Sequence, residues 1–328
     1  MAEPRSILAI NAASFGRSLM LLPALRALRN AFPKTRITAA VTKGLVDLLA
    51  ATDLIDETID LGVIPASKSK TLSRVSRFVK LARRSRHAGF DLVMDFSPGA
   101  ETQLLARVFL NARVISSAAG PSFIESLFGR PARQTGREYA GMLSRLGIKL
   151  ADENIRIELT EEDHSRFEQW LARKGSRGGE PIVILHSEMT DPVRRWPVER
   201  MGDLAVRLSL MPGVRVLAMD DPHSREFTDS INAFLPRGAI RISAPQGKDF
   251  FAAIARASLL VTDDRFVARV ASEIATPVLE LAESGSAPSS DAHRIIEGAS
   301  RTRITVDEVY EAASEMLQRN RSSVLFER

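Results

Sequence analysis

The segment 186–197 contains residue types that could bind an anionic and flat ligand. Arg194 and Arg195 stand side by side in it and are followed by Trp196, one of only two tryptophans in the chain. Adjacent guanidinium groups can hold phosphate oxygens through paired hydrogen bonds and can stack on planar rings. The pattern therefore indicates a nucleoside diphosphate. The alternative is a solvated basic loop whose tryptophan fills the core, since tryptophan is usually buried.

The position of this segment in the chain also favours a ligand site. It begins with His186 and Ser187, directly after the apolar run 182–185, and it precedes an amphipathic helical pattern. Loops that leave the carboxyl ends of parallel strands are where α/β proteins bind ligands. We therefore expect His186 and Ser187 to take part in the same site as Arg194, Arg195 and Trp196.

A second polar loop, residues 12–18, follows the first apolar strand. Gly16 can adopt a positive φ at a strand-to-helix turn, and a helix beginning near Arg17 would direct its amide dipoles and a cation towards a ligand. The alternative is an ordinary tight turn with Ser18 near the helix start. We expect the two loops to face each other across an interdomain cleft.

Short apolar strands alternate with amphipathic helical patterns along the chain, and this alternation predicts parallel sheets covered by helices on both faces. The strands predicted in the first half are 6–11, 36–41, 57–61 and 91–96, with helices at 18–31, 44–51 and 70–87. The strands predicted in the second half are 181–186, 214–219, 239–242, 258–262 and 277–281. The predicted fold class is α/β, with two doubly wound, Rossmann-like domains.

The length of 328 residues exceeds what a single core usually supports, so two domains are expected. The run 174–180, rich in Gly and charge, is the most linker-like part of the sequence, and it predicts domains at 1–175 and 176–304. The last segment, 305–328, begins with Thr305 and Glu308 at capping-box spacing. We expect its helix to pack back on the N-terminal domain.

Composition excludes several classes of function. The chain has no cysteine, so it contains no disulfide and no thiolate site. Its five histidines form no close pair at ligand spacing, which argues against a metal site. The net charge of +5 and the aromatic content of 6% argue against nucleic acid as a partner. The first apolar run is only strand-length, so we expect a cytoplasmic protein.

Several segments, taken in order, resemble glycosyltransferase family 9, the lipopolysaccharide heptosyltransferases, which have the GT-B fold of two Rossmann-like domains. No single segment is decisive, but their order and spacing match the family over nearly the whole chain. The similar segments are 7–11 with Gly16 and 19–29, then 89–95, 137–139 with 146–148, 181–186, 195–200 and 259–264.

The resemblance implies inverting transfer of a heptose from ADP-heptose to a sugar hydroxyl of a lipid A core precursor. An ADP-sugar is then the favoured donor, and an anionic glycan or a lipid-linked sugar is the acceptor. Such a reaction needs a carboxylate to take the acceptor proton and cations or amides to hold the departing diphosphate. It needs no metal and no cofactor.

This sequence departs from the family pattern in two motifs. The aspartate that follows the first-loop glycine, the family's expected general base, falls on Arg17, which cannot accept a proton at physiological pH. The family's phosphate-binding lysine falls on Arg194, which can still hold a diphosphate. Arg17 can instead bind an acceptor phosphate, and Gly16 and Ser18 lie beside it.

A third family motif, an Asp-Ser/Thr-Gly turn followed by a histidine, falls on residues 264–269. Asp264 matches the family's sugar-binding aspartate, whereas Phe266 replaces the glycine and Arg269 replaces the histidine. The side chain of Phe266 could fill the space of a diphosphate, although Arg265 and Arg269 keep this helix start electropositive.

Two hypotheses follow. In the first, the chain is an active glycosyltransferase whose base has moved to Asp95, Glu188 or Asp191; each of these carboxylates could equally cap a helix or pair with an arginine. In the second, the chain is a pseudoenzyme that keeps the fold and binds a nucleotide, a glycan or a protein. Peripheral contact with the inner face of the cytoplasmic membrane, through the basic stretch 68–86, is a third interpretation; a solvated helix face explains that stretch more simply.

Overall fold

The computed structural model describes residues 3–62, 89–97, 113–116, 136–187, 195–243, 245–283, 287–288 and 290–326. The chain divides into two compact units, Met1–Ile155 and Arg156–Arg328. Each unit has its own parallel sheet, so the predicted fold class is confirmed. Among the predicted elements, the helix at 70–87 lies outside the described residues, as does the basic stretch 68–86.

Unit 1 contains a five-stranded parallel sheet, sheet A, with the order β3-β2-β1-β4-β5. Its strands are β1 (Ser6–Asn11), β2 (Arg36–Val41), β3 (Glu57–Asp60), β4 (Leu92–Asp95) and β5 (Arg113–Ser116). The helices described in this unit are α1 (Phe15–Leu19), α2 (Leu21–Ala31), α3 (Lys43–Ala50) and α4 (Gly136–Ser144). The central strand β1 is buried along almost its whole length, which explains its unbroken apolar run.

Unit 2 contains a six-stranded parallel sheet, sheet B, with the order β11-β10-β9-β6-β7-β8. Its strands are β6 (Ile182–His186), β7 (Arg215–Met219), β8 (Ile240–Ile242), β9 (Leu259–Thr262), β10 (Val278–Glu283) and β11 (His293–Gly298). The helices described in this unit are α5 (Glu161–Arg173), α6 (Val198–Ser209), α7 (Glu226–Ile231), α8 (Asp249–Arg256), α9 (Arg265–Glu273) and α10 (Val306–Phe326), with a 3-10 turn at Arg301–Arg303.

Alternate residues of the buried strands point to opposite sides of sheet B, so the apolar side chains on both of its faces need partners to pack against. On one face, side chains such as Val183, Leu185 and Val261 form a single core with helices α6, α7 and α10. On the other face, Phe250 of α8 lies edge-on to the ring of His186, with 5.7 Å between ring centroids. The carboxyl end of β6 is therefore fixed from both sides of the sheet.

The unit boundary differs from the predicted division at residue 175. Helix α5 belongs to unit 2 because it packs on α8: Arg166 donates to Asp249 at 2.9 Å, and Arg256 pairs with Glu168. The Gly-rich run 174–180 is consequently a connection inside unit 2 rather than a linker. Arg215 of β7 holds it by donating to the carbonyl of Gly175 at 2.9 Å.

The C-terminal helix, predicted to pack back on the N-terminal domain, belongs to unit 2. The buried side chains of α10 are part of the unit 2 core, and α10 lies against α6. The capping box is present, since Glu308 accepts hydrogen bonds from the backbone and hydroxyl of Thr305. The buried residues of α10 are Val309, Ala312, Ala313 and Leu317.

No helix within the described ranges is long and apolar enough to cross a membrane.

Candidate functional site

The carboxyl edge of sheet B brings together polar residues from three adjacent strands. β6 ends in His186 and is followed by Ser187, β7 is followed by Asp220 and Asp221, and β9 by Asp263 and Asp264. All of them except Asp221 are buried. Because strand ends meet at one edge of a parallel sheet, residues more than 70 positions apart in sequence become neighbours here.

His186 is fixed at both ring nitrogens. Its Nδ1 lies 3.0 Å from Thr262 Oγ1, and its Nε2 lies 3.1 Å from Asp221 Oδ1. Burial lowers the pKa of this imidazole, but the hydrogen bond and charge of Asp221, with the charges of Asp264 and Asp263, outweigh it and raise the pKa. His186, predicted to bind the donor, is fully buried and thus organises the edge from within.

Asp263 contacts residues near both ends of the segment 186–197. One of its carboxylate oxygens accepts from Ser187 Oγ at 2.9 Å and from the backbone N–H of Trp196 at 2.8 Å. This buried carboxylate therefore fixes where the segment leaves β6 and where it enters α6. Ser187, predicted to bind the donor, has its hydroxyl directed to Asp263.

Trp196 is not placed to stack on a ligand. Its side chain is fully buried in the unit 2 core, and its indole N–H donates to the carbonyl of Ile304 at 3.0 Å. The indole fills the core of unit 2, as in the alternative stated for this residue, and donor binding by Trp196 stays a prediction. The physical reason is that the ring covers the apolar face of the sheet, where α6 and α10 meet.

The two cations predicted in the segment 186–197 are Arg194 and Arg195. Arg195 is partly buried, and its charge lowers the pKa of Glu226, whose net shift is upward because of burial and the charge of Asp221. Arg195 therefore lies near the acidic groups that follow β7. Arg194, Glu188 and Asp191 lie outside the described residues.

Asp264 caps helix α9. Its Oδ1 accepts from the backbone N–H groups of Phe266 at 2.8 Å and Val267 at 3.2 Å. Two of the free amides at this helix start are thus already used by the protein's own carboxylate. The half-buried Phe266 stands in the first turn, and the guanidinium of the exposed Arg265 lies 5.7 Å from the centre of its ring.

Arg269 points away from the helix start at which we predicted a donor contact. Its Nε donates to Glu273 one turn later at 3.2 Å, so the guanidinium interacts towards the carboxyl end of α9. The pairing follows from the i,i+4 spacing of the two residues on one helix face. Of the four cations predicted here and in the segment 186–197, Arg195 and Arg265 lie at the edge, Arg269 pairs within α9, and Arg194 lies outside the described residues.

Asp220 is a buried carboxyl group with a raised pKa. Burial raises its pKa to about 6, although Thr228 donates to it through hydroxyl and backbone and Phe227 donates through its backbone N–H. These bonds fix the start of α7 to the end of β7. Asp220 and Asp221 are not among the site residues predicted above, although an Asp-Asp pair directly after a predicted strand is a visible signal.

The carboxyl edge of sheet A contains a second polar network. Asn11, the last residue of β1, donates to the hydroxyl of Tyr139 at 3.1 Å, and this hydroxyl donates to the carbonyl of Phe96 at 3.2 Å. Burial is the largest cause that raises the pKa of Tyr139. The phenol therefore stays protonated and connects the first turn of α4 to the ends of β1 and β4.

The first loop differs in detail from the prediction. Helix α1 already begins at Phe15, so Gly16 has helical backbone instead of a positive φ. The hydroxyl of Ser18 is buried and donates to the carbonyl of Ser14 at 2.8 Å, which leaves it no surface for an acceptor. Arg17 is partly buried, and its charge acts on the Tyr139 phenol, so it lies at the same edge.

Asp95, one of the predicted relocated bases, is fully buried at the end of β4. Its Oδ1 accepts from the backbone N–H of Ser97 at 2.9 Å, and Ser97 Oγ accepts from the N–H of Ala12 at 3.0 Å. In this geometry Asp95 connects the loops after β4 and β1 and offers no surface to a substrate.

Glu138 is a candidate site residue that the sequence motifs do not indicate. It is partly buried in the first turn of α4, beside Tyr139, and burial raises its pKa. Among the described residues no hydrogen bond or ion pair satisfies its carboxylate. No group of three His, Asp or Glu side chains within the described ranges is arranged to hold a metal ion.

No protein-family model matches the chain, and no curated protein sequence matches it. Several solved structures, in contrast, are similar to the chain. A glycosyltransferase family 9 protein from Veillonella parvula DSM 2008 is similar over 96% of this chain and 97% of its own, with 19% identity and a TM-score of 0.69. The E. coli ADP-heptose lps heptosyltransferase II is similar over 96% and 99%, with 19% identity and a TM-score of 0.63.

E. coli heptosyltransferase WaaC with ADP-2-deoxy-2-fluoro heptose is similar over 94% of this chain and 99% of its own, with 17% identity and a TM-score of 0.59. Identities this low show a shared fold. The chain therefore has the GT-B fold, and its predicted resemblance to family 9 structures is confirmed at the level of the fold.

Proposed function

We propose that the chain is a heptosyltransferase-like glycosyltransferase that uses a nucleoside-diphosphate sugar, with an ADP-sugar as the favoured donor. The sugar is transferred by inversion to an anionic glycan or a lipid-linked sugar. The observation that carries the proposal is the polar constellation at the carboxyl edge of sheet B, in a chain whose fold matches proteins described with ADP-heptose chemistry. Ligands of open parallel sheets bind at this edge.

Each group at the edge has a proposed role. Arg194 and Arg195 bind the diphosphate, with Arg265 as a further cation at the start of α9. Asp221 presents 16% of its side chain to solvent while it holds His186, so one of its oxygens can accept a ribose hydroxyl. Asp264 accepts from α9 and keeps the helix start in place for the sugar. Arg17 binds the anionic group of the acceptor.

Three observations favour the alternative, a pseudo-glycosyltransferase that only binds a nucleotide, glycan or protein. Arg17 stands where the resemblance expects a base, Asp264 occupies two amides of α9, and Arg269 pairs with Glu273. Loss of a general base typically costs about 10²–10⁴-fold in rate. The candidate bases Glu188 and Asp191 remain part of the transferase proposal, because their positions are outside the described residues.

Thermal unfolding in the presence of millimolar ADP, UDP or GDP tests the donor site. A ligand at about 100 times its dissociation constant adds about 2.7 kcal/mol, which is a shift of several degrees for a unit of this size. We expect a shift that is largest with ADP and disappears in Arg194→Ala. The matched control is Arg173→Ala, an exposed arginine of α5. Equal behaviour with all nucleotides and with buffer would contradict a donor site.

A further inference from the structure

Glu138 is placed by two hydrogen bonds of its neighbour. Tyr139 accepts from Asn11 at the end of β1 and donates to Phe96 directly after β4, so the first turn of α4 lies at the carboxyl edge of sheet A. The edge-on packing of Tyr139 on Phe96, with 4.9 Å between ring centroids, holds this turn further. The backbone at Glu138, one residue before Tyr139, is therefore held at the carboxyl edge of sheet A, where Arg17 also lies.

The environment of Glu138 is unusual for an acid in the first turn of a helix. Such a residue normally gains from the helix dipole, which favours its charged form. Here burial has the larger effect and raises the pKa of the carboxyl group. Among the described residues no cation or hydrogen-bond donor offsets this cost. A partly buried carboxylate without an ion pair, at a ligand-binding edge, is typical of a functional acid or base.

The charges that act on the Tyr139 phenol include those of Glu138, Asp95 and Arg17. Glu138 and Asp95 both raise the pKa of the Tyr139 phenol, whereas Arg17 lowers it. Asp95 has no exposed surface, and Arg17 has no proton-accepting atom. Glu138 is the one of these three that has both a basic oxygen and exposed surface.

We propose that Glu138 is the general base that deprotonates the acceptor hydroxyl, in place of the carboxylate missing at position 17. This inference rests on the proposed transferase function. The acceptor oxygen forms a bond to the anomeric carbon while its proton moves to a Glu138 carboxylate oxygen. The bond between that carbon and the diphosphate breaks, and its electron pair leaves on the diphosphate oxygen. Burial raises the pKa of the Glu138 carboxyl group, and a higher pKa makes its carboxylate a stronger base.

The test is release of free nucleoside diphosphate from ADP-heptose, ADP-glucose, UDP-N-acetylglucosamine and GDP-mannose, with water as the acceptor. We expect Glu138→Gln to lower kcat for the preferred donor about 10²-fold or more, with donor binding unchanged in thermal unfolding. Wild-type activity should fall on the acid side with the protonation of Glu138, and that limb should be absent in Glu138→Gln. Glu138→Asp should retain the limb with a smaller loss.

Three controls separate the possible outcomes. Glu153→Gln, an exposed acid of unit 1, should leave kcat unchanged. If Glu188→Gln or Asp191→Asn abolishes release and Glu138→Gln does not, the base is in the segment after β6, and the Glu138 assignment is wrong while the transferase function stands. If Glu138→Gln lowers only the unfolding temperature, Glu138 has a structural role and the assignment also fails. If the wild-type protein releases no nucleotide from any donor, both the transferase function and the base assignment fail.

Discussion

Individual residues at the two sheet edges show which parts of a site can be predicted from sequence. The absence of a base at position 17 and the position of the polar loop after β6 were readable, because charge and chain order are properties of the sequence. The role of Trp196 was not readable, since the same indole can stack on a nucleobase or fill a core. Only the packing of α6 and α10 around it decides between the two. Glu138 was missed because its significance comes from burial, which no local pattern reports.

Asp220 makes the stability of unit 2 depend on pH. Its folded-state pKa of about 6 exceeds the ordinary value of 3.8, so the folded state favours the protonated form. The stabilising contribution is complete below about pH 3.8 and is lost as pH rises through 6. Asp220→Asn keeps an acceptor for the N–H groups of Phe227 and Thr228 and cannot ionise. Relative to this variant, we expect the wild-type protein to lose about 1–2 kcal/mol between pH 4 and pH 7.

Urea unfolding followed by tryptophan fluorescence measures this difference. Both tryptophans of the chain, Trp170 and Trp196, lie in unit 2, so the signal reports on the unit that contains Asp220. A stability difference between the two proteins that stays constant from pH 4 to pH 7 would show that Asp220 does not titrate in this range.

At the scale of elements, the apolar strands were predicted to within one or two residues, because buried parallel strands give continuous apolar runs. The two strands that were missed, β5 and β11, lie at the sheet edges and contain polar residues such as Arg113, Arg294 and Glu297. The predicted helix 18–31 is two helices, α1 and α2, which meet at Met20. Edge strands and helix starts depend on tertiary contacts, which explains these misses.

Ala275, just after the carboxyl end of α9, has a strained backbone conformation, and a substitution can remove this strain. Ala275 has a φ of 60° and forms a Schellman motif: its N–H donates to Ser272, and the N–H of Thr276 donates to the carbonyl of Ala271 at 2.8 Å. A side chain in this left-handed region costs about 1–2 kcal/mol, whereas glycine adopts it freely at the cost of about 0.4–1 kcal/mol of unfolded-state entropy. We expect Ala275→Gly to stabilise unit 2 by about 0.5 kcal/mol.

The matched control is Ala172→Gly, at an exposed position within α5, where glycine should cost up to about 1 kcal/mol. The measurement is the urea midpoint from tryptophan fluorescence. The opposite signs of the two changes are the diagnostic result. A loss of stability in Ala275→Gly similar to that in Ala172→Gly would contradict the left-handed conformation of Ala275.

At the scale of the whole molecule, the fold can be predicted from the sequence more fully than the chemistry. Two parallel-sheet units of the GT-B class were predictable from the alternation of strands and helices, and solved structures of 17–19% identity confirm the class. The division at residue 155 was not predictable, because the Gly-rich run 174–180 has the composition of a linker but is held by Arg215.

The most direct test of the central proposal, a nucleotide site at the carboxyl edge of sheet B, is amide hydrogen exchange with and without saturating ADP. Binding there should protect the peptides that contain His186–Ser187, Asp220–Glu226 and Thr262–Phe266, while the peptides around Asn11–Ser18 and Glu138–Tyr139 remain unchanged. Protection confined to unit 1, or no protection in any peptide, would contradict the proposal.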